Sequence, residues 1–331
     1  MNELYLVTGA AGHLGSAVVM RLLEMGKSVR ALVLKGEKNI PAGDIEICYG
    51  DVCDKDSLYR FFDNKENREL FVIHCAGIVS IASGYYQKIY DVNVTGTKNM
   101  VDLCLEYKVK KLVYTSSVHA IPEKPKGETI KEVYEFNPDE VVGLYAKTKS
   151  EATAYVLAAV KEGLCACVVH PSGIIGPFDK GRSHSTTLIT DFYKSRLVAG
   201  IKGGYDFVDV RDVANGVISA CEKGNAGECY ILSNEYYTVK DILYMLHEVT
   251  GKKEIKTFLP LWFVKFTAQI AEFYYKILRQ PPLYTAYSIY TLTANAKFSH
   301  EKATRELSYS TRNMKQTLKD TVEWLQSKGI I

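Results

Sequence analysis

The chain has 331 residues, 47% of them hydrophobic and 24% charged, a balance that fits one large globular domain or two. These proportions exclude a disordered, collagenous or disulfide-scaffold chain. The 41 Lys plus Arg against 38 Asp plus Glu leave +3 with no long run of one sign, so nucleic acid is not expected as a partner.

Met1 leads into the apolar stretch Leu4 to Thr8, which has the length of a strand and lacks the basic start of a secretory signal; a cytoplasmic protein is expected. Further short apolar runs follow at Val29 to Leu34, Ile45 to Tyr49, Leu70 to Cys75, Leu112 to Ser116 and Cys165 to His170. Amphipathic stretches separate them. The helix after the first strand carries its stripe at Leu14, Val18, Leu22 and Met25 and is stopped by Gly26. A second helix, Leu144 to Glu162, is rich in alanine, which favours the helix and permits close packing. Strands alternating with helices read as βαβ units, hence an α/β fold with a parallel sheet.

From about residue 173 the alternation weakens and glycines punctuate the chain, which suggests loops over a ligand site. Residues 1–172 plus about 207–233 are expected to bind a dinucleotide, and about 173–206 plus 234–331 to form a smaller substrate domain. Leu259 to Leu278 is the most membrane-like segment, but Lys265, Glu272 and Lys276 interrupt it. It reads as a core or pocket-lining helix ahead of a membrane-surface one, and no transmembrane segment is expected. The eight cysteines show no CxxC spacing and the seven histidines no metal-ligand spacing, so reduced thiols and no metal are expected.

Thr8-Gly9-Ala10-Ala11-Gly12-His13-Leu14-Gly15 joins the first strand to the first helix, where backbone N–H groups and a helix N-terminus can receive a pyrophosphate. A Gly-x-x-Gly-x-x-Gly string arises by chance roughly 0.13 times in a chain of this composition. His13 could approach phosphate or simply face solvent. An acidic residue at the end of the second strand would mark NAD; Lys35 follows that strand instead, so NADP is favoured, and the nearby Glu37 keeps NAD open.

A tyrosine and a lysine four apart share one helix face, and a neighbouring ammonium would lower the phenol's pKa and fit it for proton exchange. The spacing occurs at Tyr107 and Lys111, Tyr145 and Lys149, and Tyr236 and Lys240. Context selects Tyr145 and Lys149, because their helix follows a strand that ends in Thr115-Ser116-Ser117.

These motifs resemble the extended short-chain dehydrogenases/reductases, the NAD-dependent epimerase/dehydratase family. The likeness runs through Gly50 to Asp54, His74 to Gly77, Asn93 to Thr97, Tyr114 to Ser117, Tyr145 to Lys149, His170 to Pro177 and Phe207 to Ala214. It implies a Rossmann-type doubly wound parallel sheet with an irregular C-terminal substrate domain. It also implies pyrophosphate on Gly9, Gly12 and Gly15, adenine on Asp51 and Val52, and the middle of the cofactor on Ala76 and Gly77; His13 and Leu14 of the glycine loop and Lys35 after the second strand complete the expected cofactor-binding residues. Pro171 and Ser172 would line the nicotinamide site. Ser117, chosen over Ser116, would hydrogen-bond the substrate oxygen, Tyr145 would exchange its proton, and Lys149 would hold the nicotinamide ribose.

Dehydratases of the family carry Asp-Glu after the active hydroxyl, where this chain has Val118 and His119, so elimination is disfavoured. His119 could face substrate or serve structure. The short stretch from Pro177 to Phe207 resembles the dihydroflavonol reductase and 3β-hydroxysteroid dehydrogenase branch, and Tyr284, Tyr287 and Tyr290 suit an apolar or ring-bearing substrate. The expected function is an NADP(H)-dependent oxidoreductase acting on a ketone or secondary alcohol through Ser117, Tyr145 and Lys149. The alternatives are a nucleotide-sugar epimerase and a non-catalytic NADP-sensing regulator. A homodimer through the Leu144 to Glu162 helix is a family expectation.

Overall fold

The computed structural model describes residues 2–80, 86–180, 183–260, 262–263 and 290–331. Seven parallel strands form the main sheet: β1 (Glu3–Thr8), β2 (Val29–Val33), β3 (Glu46–Tyr49), β4 (Glu69–His74), β5 (Lys111–Thr115), β6 (Ala166–Pro171) and, after three short strands, β10 (Cys229–Leu232). Their spatial order is β10-β6-β5-β4-β1-β2-β3. The chain therefore runs outward in one direction from β1 and in the other from β4. A crevice opens at the carboxyl ends of these two strands, the switch point at which sheets of this kind take ligands.

Helices cover both faces, which is why strands such as β2, β5 and β6 are buried along their whole length. One face packs α2 (Lys55–Phe62), the short α3 (Gln87–Tyr90), α4 (Gly96–Glu106) and α5 (Leu144–Lys161), with Leu58, Phe61, Met100, Leu103, Ala152 and Val156 in its core. The other packs α1 (His13–Glu24) and α7 (Val210–Lys223) through Val18, Leu22, Val213 and Val217. The smaller C-terminal part holds a mixed sheet of β7 (Gly173–Ile175), β9 (Gly204–Asp209) and β11 (Glu235–Thr238), ordered β11-β9-β7. The pair β8 (Gly200–Ile201) and β12 (Phe258–Leu259) lies beside it. A third apolar cluster forms under α6 (His184–Tyr193), α8 (Val239–Thr250) and α10 (Met314–Ser327), the last preceded by α9 (Glu301–Leu307).

An ion network ties α10 to β9 and α7. The fully buried Asp209 carboxylate accepts from Arg211 Nη2 and Thr317 Oγ1, each at 2.7 Å, while Arg211 Nη1 reaches Asp320 at 2.7 Å. These partners hold the Asp209 carboxyl below its usual range despite its burial. Removing one member strands buried charge, so Asp209→Ala is expected to cost about 3–5 kcal/mol. A urea midpoint equal to that of the parent would refute this.

Among the described residues no helix is long and apolar enough to cross a membrane. Most of the Leu259 to Leu278 segment, with Tyr284 and Tyr287, lies outside the described residues; Trp262 is 71% exposed. The eight cysteines are free, five of them buried.

Candidate active site

The glycine loop closes directly after β1. Gly9 has φ +67°, and a Cβ there would sit 2.7 Å from Ala76 N at the end of the neighbouring β4; a Cβ on Gly15 would meet Gly9 O at 2.1 Å. Gly12 N donates to Gly9 O at 2.9 Å and then caps α1. Loop, helix N-terminus and β4 end are therefore held at backbone contact, leaving a cradle that side chains would fill. Leu14 is buried under it. His13 is not the solvent-facing residue of the loop: it is half-buried, its Nε2 lies 2.9 Å from Pro177 O, and burial lowers its pKa. This contact spans a separation of 164 residues, which no local pattern reveals.

At the outer end of the crevice Asp51 Oδ1 accepts from Cys53 N at 2.9 Å, and Val52 is buried against Gly96, whose Cβ would lie 2.6 Å from Val52 Cγ2. Lys35 stands exposed beyond β2. Glu37 is half-buried, with Oε1 accepting from the N–H groups of Lys38 and Asn39, each at 2.9 Å.

Tyr145 and Lys149 lie on the buried face of α5, and Ser117 follows β5. The Ser117 side chain pulls the pKa of the Tyr145 phenol down, against the stronger push of burial. Ser116 turns the other way, onto Thr153 Oγ1 at 2.7 Å. Lys149 does not acidify the phenol as the four-residue spacing suggests. Its Nζ donates to Thr115 O at 2.8 Å and Tyr114 OH at 3.4 Å, and burial pushes Tyr145 up to about 12 and Lys149 down to about 8. Burial dominates both shifts because both groups are withdrawn from water. The phenol thus keeps its proton at neutral pH.

Three residues outside the expected set hold this centre. Asn93 sits on a π-helical turn, Asp91–Thr95, where its Oδ1 accepts from Ile78 N at 2.7 Å and its Nδ2 donates to Thr148 Oγ1 at 3.1 Å. It thereby fixes the backbone beside Gly77, whose Cβ would touch Lys149 Nζ at 3.3 Å. Thr8 Oγ1 accepts from Ala76 N at 3.1 Å. His170, fully buried, places Nδ1 2.9 Å from Ser117 O and stacks on Phe136. The Asn-Val-Thr-Gly-Thr string was the sequence signal for the first; the others act through long-range contacts.

Pro171 ends β6, and Ser172 follows it, its Oγ 2.5 Å from Asp206 Oδ1. Burial pushes the Asp206 carboxyl up to about 6, against the pulls of Asn234 N–H and Ser172. Between the ordinary carboxylate range and pH 6 the folded chain keeps a proton that the unfolded chain loses, so this group's contribution to stability falls as pH rises through that window. Asp206→Asn is therefore expected to melt several degrees higher than the parent at pH 7.5 and at the same temperature at pH 4. A melting difference that stays constant across that range would show that Asp206 folds already ionised.

Beside the Val118–Ala120 turn that follows Ser117 a cleft opens, lined by Ile121, Ile130, Val141, Phe298, His119 and Tyr205. Glu123 and Glu140 line its rim, and none of the described lining residues is a lysine or arginine. Tyr290 donates its hydroxyl to Glu123 there. Among the described residues no group of His, Cys, Asp and Glu is placed to hold a metal.

The model of the NAD dependent epimerase/dehydratase family matches residues 5–233. Sterol demethylase protein B of Methylococcus capsulatus is 31% identical, over 98% of this chain and 99% of its own. The solved structure of gox2253 superposes with a TM-score of 0.84 at 29% identity, covering 99% of each chain. The UDP-glucose 4-epimerase of Thermus thermophilus, solved with NAD, superposes at 0.77 with 22% identity, over 98% of this chain and 99% of its own.

The expectation of NADP as the primary cofactor is corrected by the solved neighbours that hold NAD, the Thermus thermophilus enzyme among them. MoeE5 and the Bordetella bronchiseptica enzyme WbmF are likewise solved with NAD. The physical reason lies at the end of β2, where the fixed group is the Glu37 carboxylate, which suits a ribose hydroxyl and repels a 2′-phosphate, while Lys35 is left in solvent. With a parallel Rossmann-like sheet, a glycine cradle at its switch point and a match over most of its length, this chain belongs to the NAD-dependent epimerase/dehydratase family.

Proposed function

We propose that this chain is an NAD-dependent enzyme that moves hydride to and from a carbon bearing a hydroxyl or carbonyl group. The observation that carries the reading is the convergence of Ser117, Tyr145 and Lys149 beside Gly77, next to the cradle of Gly9, Gly12 and Gly15. NAD, when bound, supplies the hydride acceptor, and NADH the donor. Residues 9–15 would hold its pyrophosphate, Asp51 and Val52 its adenine, Glu37 its adenosine ribose, Ala76 and Gly77 its middle, and Pro171 and Ser172 the nicotinamide end.

Ser117 and Tyr145 would donate hydrogen bonds to the substrate oxygen, where negative charge grows during reduction. Tyr145, protonated at neutral pH, would deliver its proton as the carbonyl becomes an alcohol and take it back in the reverse direction. Lys149 would bind ribose hydroxyls with its ammonium.

Two outcomes share this step. The solved neighbours favour a nucleotide-sugar epimerase, in which the hydride returns to the other face of the same carbon; the enzymes from Thermus thermophilus and Thermotoga maritima are UDP-glucose 4-epimerases. Net oxidation or reduction of an uncharged substrate is supported by the acidic rim of the cleft, which offers a diphosphate no described cation, and by the full-length likeness to a sterol demethylase protein. The test incubates the protein with NAD and UDP-glucose, and separately with NAD and a panel of secondary alcohols. Epimerised sugar without net NADH supports the first outcome, stoichiometric NADH from an alcohol supports the second, and inertness to both refutes the proposal.

A further inference from the structure

The turn that carries Ser117 is held from β6 by a side chain rather than by backbone. Ser116 N donates to Val169 O at 2.8 Å, the last rung of the β5–β6 ladder. The next β6 donor facing β5 would be residue 171, which is a proline and has no N–H. The ladder therefore ends just before Ser117. There His170 takes over: its Nδ1 lies 2.9 Å from Ser117 O, the carbonyl that also accepts from Ala120 N at 3.0 Å. The imidazole is fully buried and lies flat on the Phe136 ring, centroids 5.3 Å apart and planes 7° apart. Its other nitrogen, Nε2, has no hydrogen-bond partner among the described residues.

We infer that His170 is a positioning residue for the Ser117 hydroxyl, holding the Ser117 carbonyl through a protonated Nδ1 so that the hydroxyl is presented to the substrate oxygen as a donor. The inference rests on the proposed hydride transfer and deepens it by naming what aims one of its two donors. A carbonyl oxygen only accepts, so the ring nitrogen beside it must carry the hydrogen, and a neutral imidazole then leaves Nε2 bare. Burial keeps the ring neutral by pushing His170 down to about 4, and Lys149 and Lys302 both oppose a second proton. A bare, buried acceptor is a standing cost that a phenylalanine of similar shape would remove. The fold keeps the imidazole in spite of it, and the hydrogen bond the ring makes is to Ser117 O.

That bond reaches the hydroxyl through the turn. With its carbonyl held from two sides, Ser117 keeps the extended backbone of a cap, φ −161° and ψ 154°, at the head of the turn Val118–Ala120. Its Oγ then accepts from His119 N at 3.2 Å. A hydroxyl that accepts a backbone N–H keeps its own hydrogen for donation, the role asked of it as charge grows on the substrate oxygen. Loss of the Nδ1 hydrogen lets the carbonyl swing and takes the hydroxyl off its line.

The test compares the parent with His170→Phe, which keeps a ring on Phe136 and removes the donor, and His170→Asn, whose side-chain amide can give the donor back. Nitrogen-15 spectra of histidine-labelled protein at pH 7, assigned by the signal each variant loses, are expected to show His170 with hydrogen on Nδ1 and none on Nε2. The opposite tautomer or a doubly protonated ring overturns the inference. With NAD and cyclohexanol as probe, kcat is expected to fall by about 10- to 100-fold in His170→Phe, with NAD affinity held and melting temperature held or raised, and to return to within about fivefold of the parent in His170→Asn. Parent-like turnover in His170→Phe overturns the inference, as does an equal loss in both variants. Amide exchange gives a readout that needs no substrate: Ala120 N–H should exchange at least about tenfold faster in His170→Phe and at the parent's rate in His170→Asn, and an unchanged rate in His170→Phe overturns the inference. A parent that leaves cyclohexanol untouched while the spectra and the exchange come out as expected keeps His170 in its role and counts against hydride transfer from that alcohol; turnover without these signatures separates the two the other way.

Discussion

Tyr145→Phe is expected to lower kcat by about 10³-fold while leaving the affinity for NAD within a factor of about two. The phenylalanine keeps the ring that rests against His119 and removes only the hydroxyl. That hydroxyl holds its proton at neutral pH because burial pushes its pKa up to about 12. Losing it deprives the substrate oxygen of a donor at the moment charge develops, a loss felt in the transition state rather than in binding. Steady-state turnover beside a fluorescence titration with NAD checks both halves. Full turnover in the variant would remove Tyr145 from the mechanism, and a parallel fall in NAD affinity would mean that it serves binding instead.

Gly15→Ala is expected to reduce NAD affinity by at least about 100-fold, equivalent to about 2.7 kcal/mol, and to lower the melting temperature by several degrees. A methyl group on Gly15 would lie 2.1 Å from Gly9 O and 2.6 Å from Gly9 C, and both are backbone atoms that cannot swing aside. Gly9 has no room to retreat, because its own Cβ position is already 2.7 Å from Ala76 N. The loop must therefore move away from α1, which withdraws the N–H groups from the place a pyrophosphate would occupy. The turnover rate at saturating NAD should be less affected than affinity, because the Ser117, Tyr145 and Lys149 cluster is on other elements. Unchanged NAD binding by calorimetry would mean that this loop does not hold the cofactor.

The fold's first half was legible because its causes are local. Runs such as Leu4 to Thr8 and Leu112 to Ser116 are apolar without alternation, as strands covered on both faces must be, and the structure has β1 and β5 there, within a residue. The glycine loop was legible because backbone clashes of about 2–3 Å forbid a side chain at Gly9 and Gly15, and composition betrays that directly. Tyr145 and Lys149 fall on one buried helix face because the period of 3.6 residues puts them there.

The use made of those residues was not legible. Spacing suggested that Lys149 acidifies Tyr145, yet the nearest acceptor for its ammonium is Thr115 O, brought in by β5, and burial of the phenol is the stronger effect. His119 could be found as a histidine after Ser117, but its bond to Tyr205 spans 86 residues and depends on how β9 approaches β5. His13 is held by Pro177, and Asp206 on β9 is joined to Ser172 in the link between β6 and β7. Sequence by itself determined the βαβ order, the cradle and the helix face bearing the reactive pair, since each follows from sterics or periodicity within a few residues. Only the tertiary structure decided the protonation of that pair, the partner of each histidine and the lining of the cleft, because desolvation and hydrogen bonding depend on atoms that the chain brings together from far along its length.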